Sequence, residues 1–244
     1  MRGRDLSRGS LAITNADRTV GGRIAGSLAV HPTPRPLHVT FRGTAGQSFG
    51  AFCTEGMTLE LDGETNDGAG KSMSGGTIII RRGRGSDVLA GNAVLYGATG
   101  GRLFLAGRAG ERFGVRNSGA HAVVEGTGDH ACEYMTAGVV AILGGTGVNV
   151  GAGMTGGTLF IADAHDRLRH CIHGPSVGLV TLSPDDESLL RELLAAHHFA
   201  TRSRRAASLL ARWETSRHLF RRVLPARELA ATTQSPIRVQ RTSR

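Results

Sequence analysis

The sequence predicts an all-β chain: a single right-handed parallel β-helix of about seven coils, followed by a C-terminal pair of helices. Three observations predict it. Short apolar runs recur at a nearly constant interval, glycines crowd the positions just before them, and helical periodicity appears only after the last run. The runs are Thr58-Leu59-Glu60-Leu61, Thr77-Ile78-Ile79-Ile80, Arg102-Leu103-Phe104-Leu105, His121-Ala122-Val123-Val124, Val139 to Leu143 and Thr158-Leu159-Phe160-Ile161. Their first residues stand 19, 25, 19, 18 and 19 positions apart. His38-Val39-Thr40-Phe41 extends the series upstream by about one more turn. A period near 19 residues marks a solenoid.

Each run is four or five residues long and rich in Val, Ile, Leu and Phe, which suits a short buried strand. Nineteen residues cannot also hold a helix of about ten residues and two turns. Gly75-Gly76, Gly100-Gly101, Gly119, Gly138 and Gly156-Gly157 each precede a run, and glycine supplies both tight corners and close stacking. One such coil cannot bury its own apolar face; a stack can.

The elements follow in order. Residues 1–13 are polar and read as a flexible lead, and 14–182 as the glycine-rich β-helix. Asn15 or Asp17 is placed to cap a short turn, and Ile24–Val30 reads as a first strand and corner. His31-Pro32-Thr33-Pro34-Arg35-Pro36 must be extended, since alternating prolines forbid both helix and ladder. The extra residues between Thr77 and Arg102 fall on Arg81–Asp87, a polar surface insertion. Residues 183–225 form the helical segment. Ser183 caps, Pro184 takes the first helical position, acids follow, and Leu189, Leu190, Leu193 and Leu194 make the apolar stripe. A second helix is expected from Ser203 to Leu219, stopped by Pro225. Its apolar face must cover a solenoid end or grip another subunit. Residues 226–244 read as a disordered basic tail.

Composition narrows the function. Glycine is 36 of 244 residues, about twice the usual share, with no collagen triplet. No apolar run approaches bilayer length, and the N-terminus lacks a signal core, so the expectation is a cytoplasmic chain without a membrane partner. Cys53, Cys132 and Cys171 have neither CxxC nor Cys/His ligand spacing, so no metal ligand is assigned. Residues 1–198 carry 18 basic and 18 acidic side chains, whereas 199–244 carry 11 Arg and 2 Glu, the whole net charge of +9. That tail lacks interleaved aromatics and any reading motif, so nucleic acid is not the expected partner.

Several longer strings are specific. Gly43-Thr44-Ala45-Gly46-Gln47-Ser48-Phe49-Gly50, Gly110-Glu111-Arg112-Phe113 and Gly128-Asp129-His130-Ala131-Cys132-Glu133-Tyr134-Met135 resemble the glycine-rich β-helix domain that ends the large subunit of glutamate synthase. The resemblance covers nearly all of residues 12–225, and a non-catalytic subunit of formylmethanofuran dehydrogenase is a more distant relative. In that family glutaminase chemistry belongs to an N-terminal cysteine, and reduction of 2-oxoglutarate to a barrel bearing FMN and an iron–sulfur cluster. The resemblance therefore implies a free-standing scaffold subunit without cofactor or catalytic residue of its own, as in split N-methylglutamate-synthase-like systems. It implies two partners, a class II glutamine amidotransferase-like subunit and an FMN-binding glutamate-synthase-like subunit, and leaves homo-oligomer formation open. The competing expectations are a stand-alone small-molecule enzyme and a self-assembling structural protein.

Seven residues are the candidate site: Glu111, Arg112, Arg116, Asn117, Asp129, His130 and Glu133. Glu111 and Asp129 stand 18 apart, as do Arg112 and His130, so they stack on adjacent coils, where Asp129 could meet Arg112 and His130 could meet Glu111. An acid/base pair is the sharp reading. A charge ladder that satisfies corner groups or docks a partner is favoured over it. The glycine strings at Gly144–Gly147 and Gly151–Gly157 are each followed by a strand rather than a helix, and Gly70-Lys71-Ser72 lacks the upstream glycine of a phosphate loop, so no nucleotide site is assigned.

Overall fold

The fold comes from a computed structural model that describes residues 10–31, 35–81 and 88–233, with backbone alone for 230–233. The expectations for residues 1–9, for Pro32–Pro34, for the insertion at 82–87 and for the tail beyond 233 lie outside the described residues.

The chain is a parallel β-solenoid of six turns. Seven strands stack in one column: β2 (Leu37–Ala45), β3 (Met57–Thr65), β4 (Ser74–Arg81), β6 (Gly100–Ala109), β7 (Ser118–Gly126), β8 (Ala137–Ile142) and β9 (Thr158–Ala162). Two short strands complete the parallel set: β1 (Ser10–Ile13) lies against β2, and β5 (Val88–Ala90) pairs with β3 and β6. The register is the one the spacing predicts. His38 pairs with Thr58, Thr58 with Thr77, Thr77 with Arg102, Arg102 with His121, His121 with Val139 and Val139 with Thr158.

Alternation along each strand sends two columns inward. One runs Val39, Leu59, Ile78, Leu103, Ala122, Val140 and Leu159; the other Phe41, Leu61, Ile80, Leu105, Val124, Ile142 and Ile161; all are buried. The coils approach so closely that some positions exclude any side chain. A Cβ on Gly63 would stand 1.8 Å from the Gly43 carbonyl oxygen of the coil below.

The outward column between those two changes character along the stack. Glu60 is polar, but Ile79, Phe104, Val123, Ala141 and Phe160 form a second buried cluster with Leu190, Leu193, Leu194, Ala206 and Trp213. The covering elements are α3 (Pro184–Thr201), α4 (Arg204–Ala211) and α5 (Trp213–Ser216), following the one-turn helix α2 (Leu168–Cys171) and strand β10 (Val177–Val180). Helix α3 begins as expected: Ser183 Oγ accepts from the Asp186 amide at 3.2 Å while Asp186 accepts from the Ser183 amide at 3.0 Å.

Four elements differ from the sequence reading. Residues 10–13 are not a flexible lead but strand β1. Ile24–Val30 belongs to a helix, α1 (Gly22–Val30), whose Ile24, Ala25 and Leu28 lie at helical spacing against the core. The expected second helix breaks after Ala211 and gives way at Phe220 to β11 (Phe220–Pro225). This strand inserts antiparallel between β9 and β10, where it satisfies ladder groups that another helical turn would leave open. Beyond it the chain forms α6 (Ala226–Thr233), so the start of the expected disordered tail is helical.

Candidate functional site

Every turn passes through one corner of the same conformation. Alternate residues take the left-handed region: Ser48, Gly50 and Phe52; Arg112, Gly114 and Arg116; His130, Cys132 and Tyr134, all with φ between 54° and 70°. A non-glycine residue there costs about 1–2 kcal/mol. The alternation repays this by turning successive amides up and down the stack. Gly114 and Cys132 donate to the preceding turn, at Val94 and Phe113 (2.8 and 2.7 Å), while Arg112 and Arg116 donate to the following one, at Asp129 and Glu133 (2.8 Å each). The intervening Phe49, Phe113 and Ala131 are fully buried beneath the corner.

All seven predicted site residues lie on this corner, in two adjacent turns. The Arg112 guanidinium pairs with Glu133 at 3.0 Å and meets Asp129 only through the backbone. Asp129 Oδ1 accepts the Val148 amide of the next turn at 2.9 Å, and His130 donates its amide to the Val148 carbonyl at 2.8 Å. His130 Nδ1 is buried without a hydrogen-bond partner among the described residues. Glu111 gives its amide to Asn92 Oδ1 at 2.8 Å, and Asn92 gives its own to Asp67 Oδ1 at 2.7 Å. Each Asp or Asn of this ladder fills the place of a missing Cβ one turn on: Gly91 over Asp67, Gly110 over Asn92 and Gly147 over Asp129, with clearances of 2.3, 2.3 and 1.9 Å. Asn117 faces inward instead, fully buried, its Oδ1 accepting the Gly119 and Ala120 amides and its Nδ2 donating to the Ala120 carbonyl.

Arg116 is exposed, at the corner position that Phe52 and Tyr134 occupy in other turns, where both aromatics are more than half exposed. Nearby, Lys71 Nζ sits 5.7 Å from the Tyr96 ring centroid. The sequence reading missed this outward aromatic and cationic set. The signal was there in Phe52 and Tyr134, aromatic residues that break the run of glycine and polar groups at equivalent positions, with Tyr96 one residue off that position in its own turn.

The thiols are not poised as ligands. Burial pushes Cys53 up to about 11 and Cys132 up to about 12, which keeps both protonated. Among the described residues no three His, Cys, Asp or Glu side chains gather as a metal site.

The GXGXG motif family matches residues 3–226. The chain is 45% identical over 245 residues to the ferredoxin-dependent glutamate synthase, chloroplastic, of Spinacia oleracea, covering 96% of this chain and 15% of that protein. It is 45% identical to ferredoxin-dependent glutamate synthase 2 of Synechocystis, covering 88% of this chain and 15% of the relative. It is 42% identical to the glutamate synthase [NADPH] large chain of Bacillus subtilis, again across 88% and 15%. The chain thus spans about 15% of the length of these curated relatives.

Proposed function

The chain belongs to the GXGXG family, and from that premise we propose that it is a non-catalytic scaffold subunit of a glutamate-synthase-like complex. In this reading a class II glutamine amidotransferase-like partner releases ammonia from glutamine. A second partner, bearing FMN and an iron–sulfur cluster, uses that ammonia in reductive amination. The solenoid wall holds the two in fixed relation.

One observation carries the proposal. The polar groups of Arg112, Asp129, Glu133 and Asn117 are spent along the stack, on amides, carbonyls and one ion pair. They stiffen a wall instead of converging on a reactant, and what the corner turns outward is Arg116, Phe52 and Tyr134, residue types that anchor interfaces.

The test is affinity purification through this chain, co-expressed with an amidotransferase-like and a flavin-bearing partner, with glutamine-dependent glutamate formation as readout. Both partners co-purify, and the isolated chain releases no ammonia from glutamine. Tyr134→Ser, which copies Ser72 at the equivalent corner position, lowers partner recovery without changing the melting temperature. Glutaminase activity in the isolated chain, or a complex recovered without it and fully active, overturns the proposal.

A further inference from the structure

The last turns of the solenoid and the start of α4 enclose a cavity of about 270 Å³, remote in sequence from the corner cluster. One wall is the bend Gly144-Gly145-Thr146. The inter-turn hydrogen bonds run as far as the Leu143 amide, on Val124 O at 2.8 Å, and resume at the Gly147 amide, on Gly128 O at 3.1 Å. Between them the amides of Gly144, Gly145 and Thr146 donate to no group of the described residues. Gly144 is buried, Gly145 exposed and Thr146 half-buried, so these free N–H groups face water and are open to an anion.

Two arginines, both exposed, line the same space. Arg205, in the first turn of α4, is anchored through Nε on the Leu143 carbonyl, which leaves its two Nη groups with no hydrogen-bond acceptor among the described residues. Arg167 forms no ion pair among the described residues. The one carboxylate in the lining, Asp163, is committed elsewhere: its Oδ1 accepts the Arg167 amide at 2.8 Å and the Leu168 amide at 3.3 Å. The lining thus sets two arginines against one carboxylate, with Glu125 close enough to feel the Arg205 charge.

The size limits the occupant. A space of about 270 Å³ lies just below the range for drug-sized ligands, and water takes about 30 Å³ per molecule. A phosphate or a short dicarboxylate fits. We propose that this cavity is a binding site for a small oxyanion, the carboxylate or phosphate group of a compact metabolite, held by the Gly144–Thr146 amides and the Arg205 and Arg167 guanidinium groups. This inference does not rest on the scaffold reading.

The test is calorimetric titration of the full chain with inorganic phosphate and, separately, with succinate. Cys171 lines the same cavity and is the only partly accessible thiol, so its alkylation by iodoacetamide is a second readout. At least one anion binds at millimolar concentration and slows Cys171 alkylation; phosphate alone points to a phosphorylated ligand, succinate alone to a carboxylate. Arg205→Gln and Arg167→Gln each weaken binding about tenfold, the loss of one charge-assisted hydrogen bond. Arg167 lies on an exposed loop, so its replacement keeps the fold even if Arg205→Gln loosens α4. No heat and unchanged alkylation with both anions, or binding unaltered in both variants, overturns the site.

Discussion

Asn117 stands in a column whose other members are Cys53, Met73, Ala98, Met135 and Met154, each aligned by an inter-turn hydrogen bond and buried. A fully buried amide survives there because it closes the turn into β7, satisfying two amides and one carbonyl. Asn117→Ala would remove the side-chain partner of those three groups, at roughly 1–3 kcal/mol for each one left unpaired where water cannot reach. Urea unfolding at constant m-value is expected to show that loss as a lower midpoint; an unchanged midpoint would mean that Asn117 closes nothing. The sequence placed Asn117 beside Arg116 on one charged corner, and its inward direction was not legible. A backbone alternating between right- and left-handed residues obeys neither the two-residue period of a strand nor the 3.6-residue period of a helix. For the same reason the stacking of Arg112 over its neighbours was legible from spacing, while its choice of Glu133 over the Asp129 side chain was not.

Helices α3 and α4 are seated by an apolar surface and by one polar contact within it. Leu190, Leu193 and Leu194 cover Phe104, Val123 and Ala141, about 1.5–3 kcal/mol for each large side chain removed from water. At the same interface Glu125 accepts from Ser203 Oγ, which caps α4, and lies 3.7 Å from Nε2 of the fully buried His197. Burial alone would raise the Glu125 pKa, but the nearby His197, the Ser203 hydrogen bond and the Arg205 charge bring it below the usual carboxylate value. A depressed folded-state pKa contributes stability that is present above the unfolded value of about 4.3 and lost as pH falls through the folded one. Glu125→Gln is therefore expected to lower stability at pH 7 by roughly 1–3 kcal/mol and to flatten the acid limb below about pH 4. Denaturant titrations at neutral and acid pH read both effects, and an identical acid limb in the variant would sink the assignment. The wall these helices cover was also encoded. Thr58-Leu59-Glu60-Leu61 alternates, as a strand with one face in water must, whereas Ile78-Ile79-Ile80 and Leu103-Phe104-Leu105 do not. The loss of alternation marks where a second layer lands, a signal the run-by-run reading of strands passed over. Helix α1 was missed for a related reason: Ile24, Ala25 and Leu28 are too few apolar residues to separate a two-turn helix from a strand.

A solenoid has two ends, and each exposes a strand edge able to pair with another copy. Here the first end carries β1 with α1 packed against the core, and the last is closed by the chain doubling back. Strand β11 enters antiparallel between β9 and β10, a reversal that interrupts the parallel stack and uses both edges of the returning strand. Two ion pairs tie this closure to α3: Arg222 on Asp186 at 3.0 Å, and Arg217 on Glu187 at 2.8 Å. The helical layer and the end cap are thus one cooperative unit. Val223 is at its centre, fully buried and paired with Leu159 on one side and Leu179 on the other. Proline at 223 removes a ladder donor in a central strand and releases the edges of β9 and β10. Val223→Pro is therefore expected to convert the chain to concentration-dependent multimers in size-exclusion chromatography with light scattering. The α3 amides should gain hydrogen exchange in the same variant, while those of β3 and β4 stay protected. Exchange that rises equally from β2 to β9 would mean that the solenoid melts as a whole, with its end cap acting as no separate closure.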